Sequence, residues 1–401
     1  MSAWISVVGI GEDGLDGLSA AARATVAAAD VLVGGERHLA FVPPSKAERL
    51  VWTAPIDSSL DAIAARRGES VVVLASGDPM WFGIGATLAR RFGVDALRVL
   101  PHVSAFALAA ARLGWALADC ACLSLHGRPR AALAARLAPG ARILALTQDG
   151  TTPAAVAADL AASGWGGSRV VAFERLGGTA ERRIDGTAAD WRDARVDDLN
   201  TLAIECVAGA GARPLSRLAG LPDDAYEHDG QLTKRAVRAA TLAALAPLPG
   251  ELLWDVGAGN GSVAIEWLRA DSGMRAVAIE RDAARLARIA RNAEALGVPQ
   301  LQIVAGTAPA ALGGLDAPDA VFVGGGSGTS GLVEACWAAL KPGGRLVANA
   351  VTLEGEAVLA SWHAREGGEM SRFQHAQAEA VGPHRGWRPA MQVTQLSVRK
   401  P

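Results

Sequence analysis

The stretch that most limits what this chain can fold into runs from Glu251 to Gly261 (ELLWDVGAGNG) and continues through Ser262 to Trp267. The apolar run Leu252 to Val256 reads as a buried parallel strand. Gly257, Gly259 and Gly261 end it, and an amphipathic helix follows. Glycines at such a turn permit unusual backbone angles and let a ligand approach the bare main chain. The amides at the helix N-terminus carry partial positive charge toward that ligand. A dinucleotide fingerprint would place its third glycine at Ser262, which is not a glycine. Asp255 disfavours a pyrophosphate and favours a cationic ligand bearing an amino acid. S-adenosylmethionine, with its sulfonium and α-ammonium groups, fits. Glu280 closes the next apolar strand, Ala276 to Glu280, where a carboxylate accepts both ribose hydroxyls and repels a 2′-phosphate. The plain alternative is a glycine turn that holds nothing.

At 401 residues the chain has room for two or three domains. A net charge of −2 supplies no general attraction for nucleic acid or an anionic membrane. The first residues pass almost directly into a strand without a cationic leader, and no uncharged run is long enough to span a bilayer. The four cysteines, Cys120, Cys122, Cys206 and Cys336, lack paired metal spacing and do not suggest a disulfide scaffold. These features lead us to expect a soluble, cytoplasmic protein with no metal centre. Lysine occurs only at positions 46, 234, 341 and 400 in an arginine-rich background, which draws attention to Lys234.

Strands alternate with helices from the N-terminus. Ile5 to Val8 breaks into Gly9-Ile-Gly-Glu-Asp-Gly14, Val71 to Ala75 ends in Ser76-Gly-Asp-Pro79, and Ser104 opens a helix through Leu113. The pattern restarts near residue 118, so the first half is expected to form two α/β lobes facing a cleft. Ala208 to Pro222 has no periodicity and reads as a linker. The second half repeats strand and helix to the end, with Met391 to Arg399 as an edge strand.

The first half resembles the tetrapyrrole methylase family through Val7-Val-Gly-Ile-Gly11, Ser76-Gly-Asp-Pro79 and Val103-Ser-Ala-Phe106. It departs at Glu12-Asp13, where many members have Pro-Gly. The second half resembles the class I methyltransferases of cobalamin biosynthesis through Gln231 to Arg235, Leu253 to Gly259, Ala278 to Glu280, Phe322 to Gly325 and Asn349 to Thr352. Fused, they resemble the precorrin-6Y C(5,15)-methyltransferase (decarboxylating) family. The resemblance implies an α/β chain: a two-lobed tetrapyrrole methylase fold followed by a Rossmann-like class I domain. The corresponding boundaries are 1–208 for carbon 5 methylation, 209–221 for the linker, and 222–401 for carbon 15 methylation with decarboxylation of the ring C acetate. It implies two S-adenosylmethionine sites per chain. One would use Thr233, Gly257, Ala258, Gly259, Asn260, Gly261, Glu280 and Ala308, and the other Gly77, Asp78, Pro79, Ser104 and Ala105. Thr307 stands where the family usually has an acid.

A reduced tetrapyrrole brings its own carbon nucleophile, so the protein's task is to orient, exclude water and manage a proton. The substrate's carboxylates call for basic side chains. Catalytic residues stay unassigned, with Lys234, His228, His384 and Arg385 as candidates. The loop carrying His384, Arg385 and Arg388 reads equally as a substrate loop or a solvated one, while His102 and His126 read as structural. Asp223 to Lys234 is expected to cover the second site. The expected partner is a tetrapyrrole, in a homo-oligomer without nucleic acid or membrane. Two rivals are an RNA or protein methyltransferase, and an active second half beside a docking module. The near-zero charge and Gly324-Gly-Gly-Ser in place of Asn/Asp-Pro-Pro-Tyr weigh against the first.

Overall fold

The computed structural model describes residues 3–401. The chain forms two compact units, Met1–Arg128 with Ala138–Pro214, and Pro129–Leu137 with Leu215–Pro401. No helix among the described residues is long and apolar enough to cross a membrane.

In the first unit, strands β1 (Ile5–Ile10), β2 (Val31–Gly34), β3 (Glu48–Val51), β4 (Val71–Ser76) and β5 (Leu97–Leu100) make a parallel sheet in the order β3-β2-β4-β1-β5. Helices α1 (Ala20–Ala27), α2 (Glu36–Ala40), α3 (Ile56–Ala64) and α4 (Gly85–Phe92) lie between these strands in the chain. Val71 to Ala75 is buried throughout, because alternate residues enter the apolar layers on the two sheet faces. Helix α5 (Ala105–Leu113) leads into the second sheet, with α6 (Thr152–Ala162) between its strands. Strands β6 (Cys120–Ser124), β7 (Arg142–Leu146), β8 (Arg169–Glu174), β9 (Arg182–Thr187) and β10 (Asn200–Glu205) are ordered β6-β7-β10-β8-β9. Only β6 and β7 pair in parallel there, so this lobe is mostly antiparallel and departs from the expected largely parallel pattern. The departure comes from β9, a charged edge strand folding back on β8, and from β10 inserting between β7 and β8.

The second unit starts helically with α7 (Arg235–Leu245) and alternates β11 (Leu252–Val256), α8 (Ser262–Ala270), β12 (Arg275–Glu280), α9 (Ala283–Ala295), β13 (Gln302–Ala305), β14 (Ala320–Val323), α10 (Leu332–Ala339), β15 (Arg345–Ala350) and α11 (Leu353–Glu366). After β16 (Glu369–Phe373), a hairpin of β17 (Ala376–Val381) and β18 (His384–Pro389) precedes β19 (Val393–Arg399). The large sheet is ordered β13-β12-β11-β14-β15-β19-β16, parallel through β15 and antiparallel after it. The C-terminal strand expected at the edge therefore lies one strand in. The short polar β16 takes the edge, and Thr394, Gln395, Leu396 and Val398 are buried. Leu253 packs on one face of the sheet and Leu252, Trp254 and Val256 on the other. The same alternation turns Asp255 toward α8.

Candidate functional site

In the second unit all three glycines after β11 have left-handed backbones, with φ of 70° at Gly257, 60° at Gly259 and 81° at Gly261. A Cβ at Gly257 would lie 2.9 Å from the carbonyl oxygen of Gly325, so the loops after β11 and β14 meet backbone to backbone. Asp255 is fully buried; one carboxyl oxygen accepts from the Ala264 amide at 3.0 Å, and the other has no hydrogen-bond partner among the described residues. Burial raises its pKa to about 7, and the nearby Glu280 adds to the rise. The first turn of α8 thus gives one amide to Asp255, where the sequence suggested amides open to a ligand. Glu280 accepts from the amides of Gly259 (2.8 Å), Arg281 (2.9 Å) and Asp282 (3.0 Å), so it sets the shape of the glycine turn from within.

Over this turn lies the segment between Glu227 and Gln231. Asn260 Nδ2 donates to the Gln231 carbonyl at 2.7 Å and to Asp229 at 3.2 Å. Asn292 on α9 donates to the carbonyls of Glu227 and Asn260 and accepts from the Glu227 amide. Arg285 and Arg288 both reach Asp229 at 2.9 Å; the bond from Arg285 first, and then that from Asn260, holds its carboxyl well below the usual range, and Arg291 grips Glu227. The expected cover is a segment riveted to the face of α9. Behind it, Arg238 is completely buried. It donates to Glu266 at 2.5 Å, to Asp223 at 3.1 Å and to the carbonyls of Leu221 and Thr233, and it lies over the Tyr226 ring at 4.9 Å. Glu266 also accepts from the Tyr226 hydroxyl at 2.8 Å and from the amides of Gly220 and Leu221.

Thr233, half-buried, stands two residues before α7 with its carbonyl on Arg238, and Ala308 packs beside the apolar layer near Leu312. Lys234 is exposed and has no ion pair among the described residues, and the exposed His228 accepts from the Gly230 amide at 3.1 Å. His384 and Arg385 lie on the hairpin strand β18 where the sequence suggested a loop. The hairpin leaves the sheet at the carboxyl end of β15, the end that also carries the glycine turn, because Thr394 pairs with Ala350.

In the first unit, Gly77 has φ of 54°, and a Cβ there would lie 3.1 Å from Ser104 Cα and 3.2 Å from the Val103 carbonyl oxygen. This close approach joins the ends of β4 and β5 and brings Gly77, Ser104 and Ala105 together. Ser104 caps α5 by accepting from the Ala107 amide at 3.2 Å. Asp78 accepts from the Met80 amide at 2.9 Å, and Pro79 is buried. Beside them lies a charged cluster that the sequence reading passed over. Arg37 bridges Glu12, His38 and Ser76, and Arg175 reaches both Glu12 (3.5 Å) and Asp197 (2.8 Å). His38 is buried; burial first, and then the Arg37 charge, lower its pKa to about 4. The five-residue α2 carrying Arg37 and His38 was too short to announce itself, and Glu12 registered only as a departure from Pro-Gly.

The tetrapyrrole (corrin/porphyrin) methylase family matches residues 5–191, and the precorrin methyltransferase domain matches residues 224–400. A precorrin-6Y C(5,15)-methyltransferase (decarboxylating) of Sinorhizobium sp is 52% identical over 401 residues, covering 100% of this chain and 97% of its own length. The chain belongs to the precorrin-6Y C(5,15)-methyltransferase (decarboxylating) family. A second protein of that name, from Mycobacterium tuberculosis (strain CDC 1551 / Oshkosh), is 46% identical across 99% of this chain and 100% of its own. A cobalt-precorrin-7 C(5)-methyltransferase of Salmonella typhimurium is 37% identical over 178 residues, 44% of this chain and 88% of its own length. Both constellations stand at carboxyl ends of parallel strands.

Proposed function

We propose that this chain methylates a precorrin-6Y-type tetrapyrrole at carbons 5 and 15 and removes the ring C acetate carboxylate, with S-adenosylmethionine as donor at two sites. The observation that carries the reading is the presence, in one chain, of two separate glycine constellations at strand ends, one around Gly77 and one around Gly257. The first domain, 1–208, would act at carbon 5 and the second, 222–401, at carbon 15, joined through 209–221.

The second turn fits the donor on its own chemistry. Three left-handed glycines set the turn, with Gly259 the least enclosed of them, and the orphaned oxygen of Asp255 awaits a donor or a cation. Gly257, Ala258, Gly259, Asn260 and Gly261 would hold it, with Glu280 on the ribose and Thr233 and Ala308 alongside. Gly77, Asp78, Pro79, Ser104 and Ala105 would do so in the first domain. When bound, S-adenosylmethionine supplies an electrophilic methyl group to the tetrapyrrole carbon. The chain's own contribution is positional: the clamp of Asp229, Asn260 and Asn292 holds the covering segment on the second turn, and basic side chains orient the carboxylated substrate. In the decarboxylation the bond from the acetate carbon to its carboxylate breaks, the electron pair enters the conjugated macrocycle, and a proton returns to the carbon.

The four cysteines are unpaired, which fits the cytoplasm we assign to the protein. We also assign a homo-oligomer. A two-stranded hairpin exposed along β17 and β18, with Trp387 open to solvent, is not stable by itself and calls for a second copy. The deciding experiment incubates the purified protein with S-adenosylmethionine and the tetrapyrrole and weighs the product. Gain of two methyl groups with loss of one carbon dioxide is expected; a single methyl gain would remove one of the sites.

A further inference from the structure

Arg175 occupies a position the chain had reason to give to glycine. It directly follows β8 with φ of 46°, in the left-handed region that side chains avoid, and the loop it opens uses glycine twice, at Gly177 and Gly178. A Cβ at Gly178 would come within 2.8 Å of Glu12 Cβ, so this loop is pressed against the loop after β1. The loop is also anchored to α5. Glu181 accepts from the Gly177 amide at 2.8 Å and takes a two-pronged pair from Arg112 at 2.6 and 3.0 Å. The strained residue is therefore held in one place, next to the strand ends that carry Gly77 and Ser104.

Its side chain is aimed and left unfilled. Nε donates to Asp197 at 2.8 Å and Nη1 approaches Glu12 at 3.5 Å, while Nη2 has no partner among the described residues. Arg37 differs: Nη1 is on Glu12 and Nη2 is shared by His38 and Ser76, so both of its terminal nitrogens are engaged. Glu12, only 11% exposed, is thus a shared support for two arginines, one with both terminal nitrogens engaged and one with Nη2 open. Arg175 remains 42% exposed at its side chain. A guanidinium whose rotamer is set by two carboxylates has already lost its freedom, so it can take a further carboxylate without that ordering loss.

We propose that Arg175 binds a side-chain carboxylate of the tetrapyrrole for the methyl transfer of the first domain, with Glu12 as its positioning residue. This rests on the proposed function above and names a substrate contact within it. The fork, and not charge alone, does the recognising, so lysine restores part of the effect.

The test scores the two partial reactions of the full chain separately, by product mass, beside calorimetry with S-adenosylhomocysteine. Arg175→Ala should raise KM for the tetrapyrrole in the first transfer about 10- to 100-fold. The kcat, the affinity for S-adenosylhomocysteine and the decarboxylating transfer should hold. Arg175→Lys should recover part of the loss, and Glu12→Gln should show a smaller KM defect of the same kind. Arg175→Gly removes the backbone strain with the side chain, so it should melt no lower than wild type while showing the same KM defect. An unchanged KM in Arg175→Ala, or a fall in S-adenosylhomocysteine affinity matching the KM change, overturns the proposal. A defect in Arg175→Ala that Arg175→Gly does not share also overturns it. Wild-type protein that methylates neither carbon overturns the functional reading itself, before any variant is scored.

Discussion

The two candidate sites share a location at strand ends but are closed by opposite kinds of chemistry. The second is shaped by buried carboxylates whose partners are mostly backbone amides: Asp255 on Ala264, and Glu280 on Gly259, Arg281 and Asp282. The first is ringed by half-exposed ion pairs among side chains, with one buried imidazole, His38, kept neutral in its midst. Amide-to-carboxylate bonds fix a turn of main chain, which suits a ligand gripped by backbone. Paired side chains fix the direction of guanidinium groups, which suits a ligand recognised by its charges.

The largest effect should come from the part of the second unit that most resembles the first, its buried ion pair. Arg238→Ala would strand Glu266 at 3% exposure among the amides it holds. It should cost about 3–5 kcal/mol, read as an early unfolding transition of that unit alone. A single common shift of both transitions would break the contrast between the units.

Acid should pull the two units in opposite directions. His38 titrates near 4 when folded, below its ordinary 6.5, so the unfolded chain binds the extra proton between those values. Its contribution is complete above pH 6.5 and is lost as pH falls toward 4, on the order of 3 kcal/mol. Asp255 titrates near 7 when folded, above its ordinary 3.8, so the folded chain holds the extra proton. The second unit therefore loses stability as pH rises from about 4 to 7, on the order of 4 kcal/mol. Calorimetric melting of wild type, His38→Asn and Asp255→Asn across this range should show each slope flattened by its own variant. Parallel slopes in the two units would refute the contrast.

Glu280→Ala should lower affinity for S-adenosylhomocysteine at one of the two proposed sites by about 10- to 100-fold, because the turn loses three amide bonds along with the ribose contact proposed for Glu280. Titration of wild type should give two sites; loss of both in the variant would show that they are not independent. The smallest effect belongs to Lys234→Ala. An exposed ammonium with no ion pair among the described residues should contribute at most about 1 kcal/mol to the decarboxylating transfer. A hundredfold defect would place it against the substrate.

Much of this was legible because the informative strands are apolar on both faces, and all of those named next but β12, which ends in Glu280, run into a glycine turn. β1, β4, β11, β12 and β14 could be found from their runs alone. Strands β3, β9 and β16 could not, since polar edge strands carry no such run. Nor could the place of β19 be fixed without seeing β16 beyond it. Arg238 left a faint signal: with Thr241, Leu242 and Leu245 it falls on the buried stripe of α7. Arg285, Arg288 and Asn292 recur at helical spacing opposite Glu227 and Asp229, so that pairing was also written in the pattern. Arg175 left none, because neither its backbone angle nor its contact with Glu12 across 163 positions has a local signature.

Asparagine followed by glycine, as at Asn260-Gly261, is the dipeptide most open to chemical ageing. The next backbone nitrogen attacks the side-chain carbonyl, ammonia leaves, and an acid or an isomerised linkage results. Here that nitrogen already donates to the Ala258 carbonyl at 2.9 Å, and the departing Nδ2 is tied to Gln231 and Asp229. The same bonds that seat the cover over the glycine turn thus govern its shelf life. A molecule that lingers open would convert residue 260 to a carboxylate facing Asp229, and the cover could not be seated again.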